Sequence, residues 1–369
     1  MEKTTDLKGL KNVNADYLKK AIKDAKSSKV SLSYKLETDF PSTPEQFKSN
    51  KDTFTRLLKD SGIRTKSNIK MGVYSSKVDD FYKSSNPTSK FLFPEYLNRQ
   101  LRQSLQKTDI LDALVSTTTA IDSGVYQTIR LENSSDTKKS TQKKRIAEGA
   151  KFPTVKLTTS EQSINLHKYG LKLLTSYETV RRMSIDLLNI HMSKIGKQSA
   201  LDQAEDAIDV LINGDGNSNA APVDDLTALD GAAGAGTLTY VGLMHFIMLF
   251  DPYNINTIIG NITTVLKLVT LTMPNTVLNT TNQLKIPNLQ DPKGETSKSI
   301  KIYIHNSVGD DLLLGFDNQF ATEKVVEQGG ELVETDKIID GQFDEVVFSE
   351  MVAFGKLDPD SARVLDINA

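Results

Sequence analysis

Residues 147–217 read AEGAKFPTVKLTTSEQSINLHKYGLKLLTSYETVRRMSIDLLNIHMSKIGKQSALDQAEDAIDVLINGDGN. Two periodicities meet in this stretch. Over 154–174 apolar residues alternate, Val155 with Leu157 and Ile164 with Leu166, the pattern of a strand. From Glu178 to Ile212 they recur at steps of three and four: Val180, Met183, Leu187, Ile190, Leu201, Ala204, Ile208 and Leu211. That spacing predicts an amphipathic helix. Thr175-Ser176-Tyr177-Glu178 fits a capping box at its start. Gly214, after Asn213, supplies a C-terminal stop. An unbroken helix here runs about 50 Å; Ser184 offers a second N-cap, and with it a break near Met183. A helix of this length is a strut that must pack on more than one partner.

Working outward, Val125, Ile129 and Leu131 predict a second strand upstream. Between the two strands lies Asn133 to Arg145, polar and basic, with Lys138, Lys139, Lys143, Lys144 and Arg145. The simplest arrangement is a long hairpin with a polar tip, which needs a surface to lie on. Before it, Phe91-Leu92-Phe93-Pro94 marks a change of composition. A helix is expected to follow through Leu105, with Tyr96, Leu97, Leu101 and Leu105 on one face. After the long helix, 215–237 reads as a polar, Gly/Ala-rich loop. A helix over Leu238 to Phe250, a strand over Asn254 to Ile259 and a helix over Thr263 to Leu271 follow. Ile300, Ile302 and Ile304 alternate as a strand, Leu312 to Phe316 reads as a buried strand, and Val346–Phe348 and Met351–Phe354 as two final ones. The order is mixed α+β, without regular βαβ alternation or internal repeat.

Residues 1–90 differ from the rest. They hold 17 Lys, 2 Arg and 11 acidic residues, a net +8 within a chain of net charge −2. Helical patterns are short: Tyr17, Leu18, Ala21, Ile22 and Ala25, then Phe47, Phe54, Leu57 and Leu58, with Pro41 and Pro44 between them. The segment reads as an extended arm or loosely packed helices without an independent core. Its charge fits a face toward nucleic acid or acidic neighbours, and equally a solvated lysine-rich helical surface. The chain's 369 residues allow two or three domains. The longest apolar run, Val241 to Phe250, falls far short of the roughly 18 residues of a membrane span. Met1 to Asn12 has no apolar centre, so no secretory signal is expected. With no cysteine, disulfides, thiolate metal sites and a cysteine nucleophile are excluded.

Motifs for chemistry are weak. Asp215, Asn217 and Asn219 have the opening spacing of an EF-hand loop, but Ala220 and Leu226 stand where glycine and a bidentate glutamate are needed. Gly231 to Gly236 is glycine-rich without the Lys-Ser/Thr of a phosphate loop. His167, His191, His245 and His305 are not paired at zinc spacing. Ser176 reads as a helix start, not a nucleophile. No catalytic constellation, metal or cofactor is predicted.

The segment Ala147-Glu148-Gly149-Ala150, Phe152-Pro153, the strand Ser163 to Leu174, Ser176-Tyr177-Glu178, the long helix and Asn213-Gly214-Asp215-Gly216-Asn217 resembles the HK97-like major capsid proteins of tailed bacteriophages, a family that includes the encapsulins. In that family an A-E-G element, a strand ending near a serine and a helix ending in a G-D-G turn come in this order. Leu313-Leu314-Gly315-Phe316, Glu345 to Phe348, Met351 to Phe354 and Lys356 to Leu365 resemble its C-terminal strands and tail. The resemblance covers 91–369; residues 1–90 match no motif.

The resemblance implies an α+β, HK97-like fold: a basic N-terminal arm or scaffold-like segment (1–90), the start of a P-domain (91–121), an extended loop hairpin (122–174), a P-domain spine helix (175–219), an A-domain (220–340) and C-terminal P-domain strands (341–369). It implies a non-enzymatic, self-assembling virion protein, built into hexamers and pentamers of an icosahedral head around double-stranded DNA. Expected partners are copies of itself and packaged DNA lining the interior, with a portal, a scaffold or maturation protease and decoration proteins as further ones, and no membrane. Assembly would take place in the host cytoplasm. The alternative is an encapsulin-type nanocompartment shell. The expected assembly interface comprises Lys138, Lys139, Lys143, Lys144, Arg145 and Glu148, covered by an acidic neighbour that sets register more than affinity.

Overall fold

The computed structural model describes residues 13–49, 51–83, 88–105, 109–131, 145, 148, 157–160, 162–251, 253–271, 277–279, 283–287, 297–330, 332–338 and 340–369. The chain forms two compact units. One comprises Met1–Thr108, His167–Ala200 and Val326–Val352; the other comprises Asp109–Leu166, Leu201–Val325 and Ala353–Ala369.

The first unit starts with four helices, Ala15–Ser27, Leu32–Asp39, Pro44–Lys48 and Thr53–Asp60. The first three carry local caps. Asn14 accepts from the Tyr17 amide, Ser31 from the Tyr34 amide, and Thr43 with Gln46 closes a capping box around Pro44. Their apolar faces are sealed. Leu18, Leu36, Phe54 and Phe81 are buried with Leu92, Leu97, Ile185, Met192, Val346 and Phe348 in one core. The expectation of loose packing for the N-terminal segment is therefore corrected. Its apolar residues are sparse, but the helices Ala15–Ser27, Leu32–Asp39 and Thr53–Asp60 point them into a core completed by later elements. Phe47 is a second correction: it is 62% exposed, because the five-residue helix that carries it is too short to present a face.

The helix expected after Pro94 begins earlier, spanning Ser89–Leu105 with Pro94 inside it. Leu92, Phe93, Tyr96 and Leu97 are buried on its core face. Three antiparallel strands complete the unit: Leu332–Ile338 pairs with the strand Phe343–Lys356, which pairs with His167–Ser176. Phe343–Lys356 is one strand of 14 residues, where two were expected. Ser349 and Glu350 read as an interruption, but both stay in register opposite Gly170 and Tyr169.

The helical stretch after the hairpin breaks near Met183, the alternative that Ser184 allowed. A helix over Tyr177–Arg182 is capped by Ser176, one residue later than the Thr175 cap expected. The long helix, Ile185–Asn213, restarts with the Ser184 hydroxyl accepting from the Leu187 amide at 3.3 Å. The restart rotates the phase. Ile185, Leu188 and Met192 are buried, while Leu187 and Ile190, expected on the inner face, are exposed.

The second unit is built on a seven-stranded mixed sheet. Its order is Val223–Asp225, Ala362–Asp366, Leu312–Phe316, Thr257–Gly260, Ser297–Ile304, Gln283–Pro287 and Val277–Asn279. Helices Tyr240–Met248 and Ile262–Thr270 supply Leu243, Phe246, Ile247, Val265 and Leu268 to a core with Ile258, Ile300, Leu313 and Leu365. The helices and strands expected from Leu238 to Phe316 are present, the loop expected over 215–237 is corrected by the strand Val223–Asp225 and the helix Leu226–Leu229, and α+β describes the whole.

Candidate functional site

The base of the expected hairpin is present in the second unit. Val125–Tyr126 pairs antiparallel with Ile164–Asn165, and Ile129–Leu131 with Leu157–Thr159. Between these ladders the Ser160 amide donates to the Thr128 carbonyl at 2.8 Å, and beyond the first ladder the Leu166 amide donates to the Gly124 carbonyl at 3.1 Å. Of the residues expected at the interface, Lys138, Lys139, Lys143 and Lys144 lie outside the described residues, as do Ala147, Gly149 and Ala150. Arg145 and Glu148 are exposed. Val125 and Ile129 add exposed apolar side chains at the base.

Three clasps lie behind this base: two grip the hairpin, and one holds the helix-end turn. The first is the turn closing the long helix. Gly214 has φ +85° and its amide donates to the Val210 carbonyl at 2.9 Å, the left-handed stop that glycine makes without steric cost. The Asp215 amide then donates to Asn219 Oδ1 at 3.0 Å, and Asp215 Oδ1 accepts from the Asn217 side-chain amide at 3.0 Å. Asn217 reaches the return arm of the hairpin. Its Oδ1 accepts from the Gln162 amide at 2.9 Å and its Nδ2 donates to the Gln162 carbonyl at 3.4 Å.

The second clasp centres on Lys356, whose side chain is fully buried. Its backbone amide donates to Asp215 Oδ2 at 3.2 Å, and its Nζ to the Leu211 carbonyl at 3.2 Å. That carbonyl belongs to the last turn of the long helix, where the helix dipole favours a cation. Burial nevertheless pulls the Lys356 amine down to about 8, against the opposing pull of Asp215, Asp358 and Asp360. The third clasp joins the outgoing arm to Glu323. The Tyr126 hydroxyl donates to both carboxylate oxygens at 3.1 Å, and the Thr119 hydroxyl donates to Oε1. Burial, then the charge of Glu323, raises the Tyr126 hydroxyl above its ordinary range.

Gln162, Glu323 and Lys356 were not singled out in the sequence. Only Lys356 left a trace, as a lone cation closing the apolar run from Val352 to Gly355. Several of the candidates for chemistry make structural hydrogen bonds. The oxygens of Asp215, Asn217 and Asn219 serve the turn. His245 Nδ1 is hydrogen bonded to the Leu229 carbonyl at 2.6 Å, and His305 Nδ1 to the Ser307 hydroxyl at 2.6 Å. Among the described residues, no group of three His, Cys, Asp or Glu side chains is placed to hold a metal, and no helix is long and apolar enough to cross a membrane. What the site offers is a presented surface on a braced base.

No family model and no curated protein matches the sequence. Solved structures do align with the fold. The capsid of a native GTA particle aligns with 71% of this chain and 91% of its own, at 11% identity and a TM-score of 0.47. A virus-like particle from Pyrococcus furiosus aligns with 73% of this chain and 98% of its own, at 12% identity and a TM-score of 0.42. The encapsulin of a complex from Synechococcus elongatus aligns with 70% of this chain and 87% of its own, at 9% identity and a TM-score of 0.44.

Proposed function

We propose that the chain is a shell subunit of HK97-like architecture. In this reading its hexamers and pentamers close an icosahedral head around the double-stranded DNA of a tailed phage. The observation that carries this is the continuous order of hairpin base, strand His167–Ser176, Ser176-capped turn, long helix and Gly214 turn, with the turn fastened back onto the hairpin through Asn217 and Gln162. A two-stranded hairpin is unstable by itself in water. Bracing its base while its tip carries Lys138, Lys139, Lys143, Lys144 and Arg145 makes physical sense if a neighbouring copy receives the tip. Closed shells then arise from repetition of moderate contacts under symmetry. Residues 91–121, 175–219 and 341–369 would supply the P-domain, and 220–340 the A-domain. The role is structural, not catalytic. A portal, a scaffold or maturation protease and decoration proteins are the further partners this role would engage.

Negative-stain microscopy of the purified protein under assembly conditions is the direct test. Rings or closed particles are expected; a strictly monomeric protein overturns the reading. Particles isolated from producing cells should contain DNA. Particles free of DNA and filled with one cargo enzyme would overturn the phage assignment in favour of an encapsulin-type shell. The N-terminal segment should be retained, because Leu18, Leu36, Phe54 and Phe81 share a core with Leu97, Ile185 and Phe348. Intact mass of mature particles should match the full chain; loss of residues 1–90 would refute retention.

A further inference from the structure

The first unit carries a knob and a hole; the knob and one wall of the hole are built by the N-terminal residues that have no counterpart in the family resemblance. The knob is the loop from Arg64 to Lys77. Its tip exposes Ile69 at 78%, Met71 at 77% and Tyr74 at 70%, higher than any other large apolar residue described. Such exposure on a mobile strap would mean little. This loop is fixed. The amides of Asn68 and Val73 each donate to the other's carbonyl, at 2.7 and 3.0 Å. Gly72 turns the chain with φ +66°. The Ser67 hydroxyl and amide both donate to Asp186 on the long helix, and the Ser75 amide donates to the Ser67 hydroxyl at 2.8 Å. Asn189, one turn further along the helix, donates to the Thr65 carbonyl at 3.5 Å. Exposed apolar side chains on a pre-ordered loop are the anchors of an interface, since little entropy remains to be lost on docking.

The hole is a cavity of about 900 Å³ between the N-terminal helices, the helix Ser89–Leu105 and the strand Leu332–Ile338. Ile22, Val30, Phe91, Pro94, Val333 and Met351 give it an apolar lining. Five acidic residues, Glu95, Glu327, Glu334, Asp336 and Glu350, border it with three basic ones, Lys26, Lys29 and Arg102. The knob has the opposite balance: Arg64, Lys66, Lys70 and Lys77 with no acidic residue from 64 to 77. None of the knob residues lines the cavity of its own copy.

We propose that the Ile69/Met71/Tyr74 knob of one copy docks in the acidic-bordered cavity of a second copy of this chain. Because knob and hole are different surfaces, the contact is head-to-tail, the kind that propagates into rings when the rotation closes. The proposal rests on the shell-subunit reading and adds a contact separate from the hairpin.

The cysteine-free chain allows a direct test. The double variant Met71→Cys, Gln328→Cys places one thiol on the knob and one beside the cavity. Under mild oxidation it should give a ladder of linked dimers, trimers and larger species on a non-reducing gel, and neither single variant should extend past a dimer. Separately, Lys70→Glu and Glu327→Lys should each raise the protein concentration needed for assembly by about tenfold, and their combination should restore it. Thermal unfolding unchanged from the parent certifies that each variant is folded. Assembled particles that yield no ladder, or charge reversals without mutual rescue, overturn the contact while leaving the shell reading intact. A parent protein that stays monomeric overturns the shell reading and this contact with it.

Discussion

The N-terminal helices and the hairpin base are stabilised by opposite means. The helices between Ala15 and Asp60 bury leucine and phenylalanine in a core shared with later elements. The hairpin base has few buried apolar residues and is held by ladder bonds, Asn217 and Glu323, with Lys356 fixing the turn that carries Asn217. The first arrangement stores its stability in removed apolar surface, which is non-directional. The second stores it in oriented polar bonds, each small in net worth but costly to leave unmade. The hairpin base, which belongs to the motif region, thus has less apolar packing than the N-terminal helices, which carry no motif.

The largest effect should come from the apolar side. Phe81 is fully buried, with ring centroids 5.0 Å from Phe93 and 5.8 Å from Tyr96. Phe81→Ala should cost about 3–5 kcal/mol, read as a lower urea midpoint for the unassembled subunit. A cost below about 1 kcal/mol would break the comparison, since the N-terminal segment would then be an appendage.

The next effect is specific to the clasps and depends on pH. The Lys356 amine is held at about 8 against an ordinary 10.5. Between those values the unfolded chain binds more protons than the folded one, so stability rises with pH across that window and is lowest below about 8. Lys356→Met should flatten this rise, a difference on the order of 3 kcal/mol across the window. Urea unfolding of parent and variant at pH 7.5 and 10.5 measures it. Equal pH dependence in the two proteins would remove Lys356 from the account.

A smaller, local effect is expected at Asn217. Asn217→Ala removes the bonds to Gln162 and should cost about 1 kcal/mol of local stability. Hydrogen exchange should quicken at the Val125–Tyr126 and Ile164–Asn165 amides, with global unfolding nearly unchanged. The smallest effect is Phe47→Ala, within about 0.5 kcal/mol. A larger loss there would mean that the Phe47 ring is covered in the unassembled subunit.

Periodicity found the long helix, the strand that precedes it and most elements of the second unit, because each has a face wide enough to leave a pattern. It failed where a pattern is shorter than a turn of evidence. Phe47 sits on five helical residues, and Leu187 and Ile190 were misassigned because the break at Ser184 resets the helical phase. Ser349 and Glu350 looked like a boundary because they are polar, yet strand pairing tolerates polar residues where a face is solvated. The candidate site was legible only as a hairpin and a turn. Its clasps join residues such as Gln162 and Asn217, or Leu211 and Lys356, whose pairing follows from the tertiary path and not from local spacing.

One feature of the second unit bears on how copies are made. Ala362–Asp366 is an internal strand of the seven-stranded sheet, lying parallel to Val223–Asp225 and antiparallel to Leu312–Phe316. During translation its two neighbours wait for it, Val223 by roughly 7–28 s at 5–20 residues per second. Until it emerges, both flanking strands have an open edge, and the edge strand Val223–Asp225 has no partner in the sheet. A chain cut short before Ala362 would lack the strand that joins Val223–Asp225 to Leu312–Phe316, and both would keep an unpaired edge.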